Sequence, residues 1–277
     1  MITSKTNSKV RYARSLHRRA VRHRERRFVV EGVRLIEEMI EAGQKPALFF
    51  CTEEGSSNPR ARAVVEALIS SGGEVLTVSE EVGCFLSDTE TPQGVLAVAA
   101  FPEVEVAECG LSLILDGVRD PGNLGTILRT AQAAGVGRVV TLRGTVDVFS
   151  PKVVRGAMGA HFRLPISWDR SWEEMERILK HSQVLLADPT GGVPYHQVDW
   201  TIPTALIVGS EAHGAGKKAR QLATSKVTVP MEGNVESLNV GVAASVMLFE
   251  AARQRRAGGM EPEEGVQEPY KNPPRGS

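Results

Sequence analysis

Short runs of Val, Ile and Leu recur through the second half of the chain and alternate with longer segments of mixed polarity. They predict five strands, at residues 111–116, 138–142, 183–187, 204–208 and 226–229. Because these runs show little polar alternation, we expect a parallel sheet covered by helices on both faces. Ser150 is the predicted N-cap of a helix over 151–161, and Gly258 can end a last helix over 237–256.

The first part of the chain predicts a smaller unit of the same alternating kind. The pattern indicates helices at 28–43, 59–71 and 80–86, and strands at 47–51, 74–78 and 95–100. We therefore expect an N-terminal domain over residues 1–101, a linker over 102–110 and a second domain over 111–257. Residues 258–277 are rich in Pro, Gly and Glu, which predicts a disordered tail.

Polar residues gather where three predicted strands lead through loops into helices. Asn123 and Arg129 follow the first strand of the second domain, and Glu211 follows a later one. Ser237 and Asn239 precede the last helix, where their side chains can bond to unpaired backbone N–H groups. The carboxyl ends of parallel strands meet at one edge of a sheet, and ligands of open α/β sheets bind there.

These three segments carry three motifs, which read N-x-G-x-x-x-R, G-x-E-x-x-G and P-M-x-G-x-x-x-S-L-N. The matching residues are Asn123, Gly125 and Arg129, then Gly209, Glu211 and Gly214, then Pro230, Met231, Gly233, Ser237, Leu238 and Asn239. In this order and spacing the chain resembles the SpoU/TrmH family of SPOUT RNA 2′-O-methyltransferases. The resemblance implies an α/β fold: a SPOUT-type parallel sheet with a deep C-terminal trefoil knot, plus a small N-terminal α/β RNA-binding domain.

The resemblance also implies S-adenosyl-L-methionine as the cofactor, held largely by backbone groups in the knot. Its expected contacts are Gly209, Val229, Met231 and Leu238, and the expected catalytic group is Asn123, Arg129, Glu211, Ser237 and Asn239. A guanidinium keeps its proton at neutral pH, so we favour Arg129 as an electrostatic stabiliser of the developing alkoxide over Arg129 as a general base. Glu211 is expected either to orient Arg129 or to cap the helix that follows it.

Total charge does not identify a partner, because Lys+Arg and Asp+Glu each number 33 and the formal net charge is zero. Residues 5–27, however, form a basic arm with a single acid, Glu25. Such a segment attracts phosphate backbones through counterion release. The residues predicted to bind RNA are Lys9, Arg11, Arg14, Arg18, Arg19, Arg26 and Arg27. A solvated helical face and an organellar transit peptide are the alternative interpretations of the arm.

The sequence lacks the signatures of several other protein classes. The chain has neither a secretory signal nor a run of about 18 apolar residues, so no membrane location is expected. Lys218 stands where a P-loop would carry Ser or Thr, and no G-x-G-x-x-G follows the first strand of the second domain. The 3 Cys and 6 His residues show no metal-ligand spacing, so we expect no metal.

The resemblance implies an enzyme that methylates the ribose 2′-hydroxyl of a specific RNA nucleotide, with 23S ribosomal RNA favoured as the target, and the lack of targeting and membrane segments predicts a cytoplasmic location. The preference for 23S ribosomal RNA rests on the likeness of the N-terminal domain to the small fold of kink-turn-binding ribosomal proteins. A tRNA 2′-O-methyltransferase and a non-catalytic RNA-binding protein of the same fold are the alternatives. A homodimer is expected, because the helix segment 238–252 is apolar almost all round and its own sheet covers one face.

Overall fold

A computed structural model describes residues 1–106 and 110–259 of the protein. The helices are α1 (Ser8–Ser15), α2 (Arg19–Glu25), α3 (Val33–Glu41), α4 (Glu53–Ser57), α5 (Pro59–Ser70), α6 (Glu80–Leu86), α7 (Pro121–Ala133), α8 (Pro151–Ala157), α9 (Trp172–Leu179), α10 (Lys217–Leu222) and α11 (Val240–Ala257). The strands are β1 (Arg27–Glu31), β2 (Leu48–Cys51), β3 (Val75–Thr77), β4 (Val95–Ala100), β5 (Leu111–Asp116), β6 (Arg138–Leu142), β7 (Ile166–Arg170), β8 (Gln183–Ala187), β9 (Val193–Pro194), β10 (Thr204–Gly209) and β11 (Ser225–Thr228). Residues 107–109 of the predicted linker and 260–277 of the predicted tail lie outside the described residues.

A four-stranded sheet forms the N-terminal part, in the order β1-β4-β2-β3. Strand β4 is antiparallel to β1 and β2, and β3 runs parallel to β2. The strands predicted over 47–51, 74–78 and 95–100 are confirmed to within one residue at each end. The helices predicted over 59–71 and 80–86 are confirmed in the same way as α5 and α6.

The helix predicted over 28–43 is wrong at its start. Residues Arg27–Glu31 form strand β1, and α3 begins only at Val33. Three successive residues of β1 are buried, which a strand covered on both faces allows and an amphipathic helix does not. Gly32 separates the two elements with a φ of 100°, a conformation that glycine adopts without steric cost.

The basic N-terminal segment is folded and is not an extended arm. Asn7 is the N-cap of α1 and accepts hydrogen bonds from the backbone N–H groups of Lys9 and Val10. Val10, Ala13 and Leu16 are completely buried and share a hydrophobic cluster with residues of the four-stranded sheet. This segment therefore contributes to the core of the N-terminal part as well as to its charge.

A seven-stranded sheet forms the second part, in the order β7-β6-β5-β10-β8-β11-β9, and all of its pairings are parallel. This confirms the predicted parallel α/β class. The five predicted strands are all present, with the run over 204–208 extended by one residue and the run over 226–229 shifted to Ser225–Thr228. The edge strands β7 and β9 were not predicted. Strand β7 mixes Ile and Trp with Ser, Asp and Arg, and β9 has two residues, so neither carries an apolar run.

The helix predicted over 151–161 is divided in two. Its first part, α8, ends because Met158 adopts a left-handed φ of 48°, and a 3₁₀ turn over Ala160–Phe162 follows. Ser150 occupies the predicted N-cap position but makes no side-chain capping hydrogen bond. The local sequence therefore placed the helix start correctly and overestimated its length.

The last helix begins three residues later than predicted. Helix α11 starts at Val240 and not at Ser237, because Asn239 is its N-cap and accepts hydrogen bonds from two N–H groups of the first turn. Gly258 ends the helix as predicted. Within the described ranges, no helix is both long enough and apolar enough to cross a membrane.

The two sheets share one hydrophobic core. The ring of Phe28 on β1 lies 5.2 Å from that of Phe149 and 5.9 Å from that of Phe162, measured between centroids. Arg22 of α2 is only 3% exposed, and its Nη2 lies 2.5 Å from Oδ2 of Asp147. Removing one partner of such a buried ion pair costs about 3–5 kcal/mol. The shared core and this pair hold the N-terminal part against the second part.

Candidate active site

A cavity of about 490 Å³ opens at the carboxyl ends of β8, β10 and β11, and the start of α11 forms one of its walls. All four residues predicted to contact the cofactor line it, together with three of the predicted catalytic group. These seven are Gly209, Val229, Met231, Leu238, Glu211, Ser237 and Asn239. The fold thus brings the second and third motifs together around one space.

Gly209 is required by the loop that follows it. A Cβ atom at this position would lie 2.2 Å from the backbone nitrogen of Ala215, far inside contact distance. The loop folds back so closely because Ser210 and Gly214 exchange two backbone hydrogen bonds of 2.9 Å. Glycine at position 209 therefore lets the backbone of residues 214–215 pack against it, and this loop forms one side of the cavity.

Three polar side chains from the three motifs form one hydrogen-bonded network beside the cavity. The Nδ2 group of Asn123 donates to Oε1 of Glu211 at 2.9 Å. The Nδ2 group of Asn239 donates to Oδ1 of Asn123, also at 2.9 Å, while its own Oδ1 caps α11. Each amide therefore uses its oxygen and its nitrogen at once, which fixes the orientation of both side chains.

Glu211 is held in its ionised form. Burial acts to raise its pKa, but the hydrogen bonds from the Asn123 side chain and from the backbone N–H groups of Arg119 and Asp120 outweigh burial and lower the pKa. Neither contact expected of Glu211 is present among the described residues, because it does not bond to Arg129 and α10 has no side-chain cap. Glu211 instead ties the second motif to the start of α7.

The first motif owes its glycine to helix packing. Asp120 is the N-cap of α7, and its Oδ1 accepts a hydrogen bond of 2.8 Å from the N–H of Asn123. A Cβ atom at Gly125 would lie 2.8 Å from the Cα of Gly156 on α8. The two helices cross in backbone contact at this pair, and that contact positions Asn123 at the edge of the sheet.

Arg129 lies apart from the network. It follows Asn123 by six residues on α7, which is about 9 Å along the helix axis and about 120° around it. Its side chain is exposed, does not line the cavity, and makes no hydrogen bond or ion pair with any described residue. Within one copy of the chain, the structure therefore assembles four of the five predicted catalytic residues and leaves Arg129 on an open helix face.

Asp188 is a cavity residue that the sequence did not reveal. It directly follows β8 and is 6% exposed. Its Oδ2 lies 3.1 Å from Nη1 of Arg220 and 2.9 Å from Nζ of Lys226. Burial acts to raise the pKa of Asp188, but hydrogen bonds from Thr190 and Lys226 outweigh it and hold the pKa far below its usual range. Its position at the carboxyl end of a predicted strand was the signal that could have identified it.

The residues predicted to bind RNA are not equally available. Lys9, Arg19 and Arg26 each lie within ion-pair distance of an exposed acid, at 2.7, 3.6 and 3.5 Å. Arg27 donates to the hydroxyl of Tyr12 at 3.4 Å. These four cations are partly occupied by the protein itself, although exposed pairs of this kind are worth little and exchange readily.

The other three form a separate group on and beyond α1. Arg14 donates to the carbonyl of Ser87 at 3.0 Å and is half-buried. The side chains of Arg11 and Arg18 are exposed and make no hydrogen bond or ion pair with the described residues. Among the described residues, no group of three or more His, Cys, Asp or Glu side chains is placed to hold a metal.

Comparisons with known proteins agree with this geometry. Residues 110–249 match the SpoU rRNA Methylase family, and residues 7–97 match the MRM3-like substrate binding domain. The chain is 34% identical to the 23S rRNA (guanosine(2553)-2'-O)-methyltransferase RlmP of Bacillus subtilis, over 90% of this chain and 97% of that one. It is 30% identical to the 23S rRNA (uridine(2479)-2'-O)-methyltransferase of Streptomyces viridochromogenes, over 93% of each.

A solved structure extends the agreement to the fold. The AdoMet-bound rRNA methyltransferase from Sinorhizobium meliloti superposes with a TM-score of 0.79 at 32% identity, covering 92% of this chain and 97% of that one. The parallel sheet and the three-motif network beside a cavity define an RNA methyltransferase that uses S-adenosylmethionine. The chain belongs to the SpoU rRNA methylase family.

Proposed function

We propose that the protein methylates the ribose 2′-hydroxyl of one specific nucleotide in 23S ribosomal RNA. The observation that carries the proposal is the Asn123–Glu211–Asn239 network at the rim of the cavity, which joins all three motifs. The relatives from Bacillus subtilis and Streptomyces viridochromogenes, which match nearly their whole length, support 23S rRNA over tRNA. The bacterial relatives also support a cytoplasmic location.

The residues around the cavity fit S-adenosylmethionine. A volume of about 490 Å³ lies within the range of roughly 300–1,000 Å³ that is usual for small-molecule sites. Val229, Met231 and Leu238 offer apolar and backbone surface for the adenosine, and the loop after Gly209 offers backbone groups. When bound, the cofactor supplies an electrophilic methyl group. The C-terminal trefoil knot predicted for residues around this cavity is part of the same proposal.

The reaction then needs a group that orients the ribose and stabilises negative charge on its 2′-oxygen. Arg129 is the candidate, because its guanidinium is exposed and makes no hydrogen bond or ion pair with the residues that the structure describes. Stabilisation of a developing oxyanion by such a group is worth about 10²- to 10³-fold in rate. Asn123 and Ser237 would help to shape the site for the ribose, with Glu211 and Asn239 holding Asn123 in place.

A homodimer would complete this site. Val242 and Phe249 on α11 are 47% and 48% exposed, and Arg129 stands on the neighbouring helix α7. Pairing of these helices with a second copy would cover the apolar side chains. It would also allow Arg129 of the partner subunit to reach a cavity that Arg129 of the same chain does not line.

Complementation between two inactive variants tests this arrangement. Arg129→Ala removes the cation, and Ala243→Leu narrows the cavity; each variant alone should lose most methyl transfer to 23S rRNA. Co-expression should restore about a quarter of wild-type activity, because half of the dimers are mixed and each has one intact site. No recovery would contradict the shared site, and a monomer in light scattering would contradict the dimer.

The target itself is tested by mapping 2′-O-methyl groups in total RNA with and without the gene. We expect one 23S rRNA position to lose its methyl group when the gene is absent. Loss of a tRNA methyl group would favour the tRNA alternative. No change at any position, together with no transfer in vitro, would favour the non-catalytic RNA-binding protein.

A further inference from the structure

An open groove of about 720 Å³ lies along α1 on the N-terminal part, away from the cofactor cavity. Its lining includes three arginines, Arg11, Arg14 and Arg18, and two aromatic rings, Tyr12 and Phe85. No motif of the sequence points to the two rings. The fold brings Phe85, from the end of α6, against a helix that lies about seventy residues earlier in the chain.

Two of the arginines have no structural task. The side chains of Arg11 and Arg18 are exposed and form no hydrogen bond or ion pair with the described residues, whereas Lys5 and Lys9 each pair with an acid. A guanidinium presents five donors in a planar fork that matches the oxygens of a phosphate. These two side chains therefore offer phosphate-binding groups that folding does not require.

The third arginine supports the aromatic wall. The guanidinium carbon of Arg14 lies 5.5 Å from the ring centroid of Phe85, and its Nη1 donates to the carbonyl of Ser87 at 3.0 Å. These contacts hold both the cation and the ring in place, while Phe85 stays half-exposed to the groove. An aromatic face within a basic groove is the arrangement on which single-stranded nucleic acids stack their bases.

The groove adjoins the second part of the molecule at one end. His17 lines the groove and lies 3.7 Å from Asp88, which in turn lies 3.6 Å from Arg155 of α8. The next residue of α8, Gly156, packs directly against Gly125 of α7. A strand of RNA leaving the groove at this end would therefore come to the helix that carries the first motif.

From this geometry we propose that the groove binds an unpaired stretch of the RNA substrate, with phosphates on Arg11 and Arg18 and a base stacked on Phe85. The proposal rests on the proposed function, because it concerns the same RNA. It selects three of the seven cations predicted to bind RNA and adds an aromatic contact to them. Duplex RNA fits the groove poorly, since its bases are already stacked on one another.

Fluorescence anisotropy with the intact protein tests the groove, using labelled oligouridine and a labelled RNA duplex as probes. Oligouridine should bind more tightly than the duplex. Phe85→Leu keeps an apolar side chain but removes the flat ring, and should weaken oligouridine binding by roughly 5- to 150-fold. The double variant Arg11→Gln/Arg18→Gln should lower the slope of log affinity against log salt by about 1.4, or about 0.7 for each phosphate contact.

The matched control is Arg34→Gln/Arg62→Gln, which removes the same charge from two exposed arginines outside the groove. It should leave the salt slope unchanged. Equal salt slopes for the groove and control variants, or duplex binding as tight as oligouridine binding, would overturn the proposal that the groove binds unpaired RNA. Methyl transfer to 23S rRNA by the wild-type protein is measured in parallel. Absence of that transfer with intact oligouridine binding would overturn the proposed function and support the groove as an RNA site.

Discussion

His161 should make the stability of the fold depend on pH between 6.5 and 4. Its ring is buried between Phe28 and Phe149, with centroid distances of 6.0 and 5.6 Å. Nε2 lies 2.6 Å from the carbonyl of Val148, which can only accept, so Nε2 carries the proton of the neutral ring. Nδ1 is buried and has no hydrogen-bond partner among the described residues, and a proton added there would place a charge where none of these residues accepts its hydrogen bond.

Burial lowers the pKa of His161 from 6.5 to about 4, against smaller opposing effects of the Val148 carbonyl and Asp147. Between pH 6.5 and 4, His161 is therefore protonated in the unfolded chain and neutral in the folded chain. Stability is fully present above pH 6.5 and falls by about 1.4 kcal/mol for each pH unit down to pH 4. The loss attributable to His161 is about 2 kcal/mol at pH 5 and about 3 kcal/mol at pH 4.

Urea unfolding followed by circular dichroism at several pH values between 7.5 and 5 measures this loss. His161→Gln keeps a donor for Val148 but does not titrate, so its stability deficit relative to the wild type should shrink by about 2 kcal/mol over this range. His181→Gln, which replaces an exposed histidine in the same way, is the matched control variant. Parallel stability curves for the wild type and His161→Gln would refute the reasoning.

Two further substitutions test the packing and the cavity. Gly125→Ala places a methyl group against the backbone of Gly156, so urea unfolding should show a loss of about 1–3 kcal/mol; an unchanged midpoint would contradict the close helix contact. Ala243→Leu places a larger side chain in the cavity and should weaken S-adenosylmethionine binding, measured by calorimetry, at least tenfold, or about 1.4 kcal/mol. The control Val242→Leu, on the exposed side of α11, should leave this binding unchanged. Equal S-adenosylmethionine affinities for the two variants would contradict the assignment of this cavity as the cofactor site.

Local patterns were sufficient for most of the second sheet. Strands such as Leu111–Asp116 and Gln183–Ala187 were predicted at their exact bounds, because a strand buried on both faces needs a continuous apolar run. The same rule failed for Arg27–Glu31, whose run continues into the amphipathic pattern of α3. Only pairing with β4, about seventy residues away, decides that this segment is a strand. The intrinsic preference of a segment for helix or strand is weak, and long-range contacts such as this pairing override it.

The site divides in the same way. The resemblance of three short motifs to those of the SpoU/TrmH family was sufficient to identify Gly209, Glu211 and Asn239. The partners of these residues were decided by tertiary structure, because the hydrogen bonds of Asn123 to Glu211 and of Asn239 to Asn123 span 88 and 116 residues of chain. No local pattern encodes which two loops meet, since that depends on the order in which the strands assemble into the sheet.

Charge shows the difference most clearly. The sequence by itself determined that residues 5–27 are basic, and it predicted an arm. Tertiary structure decided that Arg22 is buried against Asp147, that Lys9 pairs with an acid, and that Arg11 and Arg18 stay open beside a groove. The number of charges in a segment does not show which side chains are buried, paired or open to solvent. The environment of each side chain depends on neighbours that only the folded chain brings within a few ångströms.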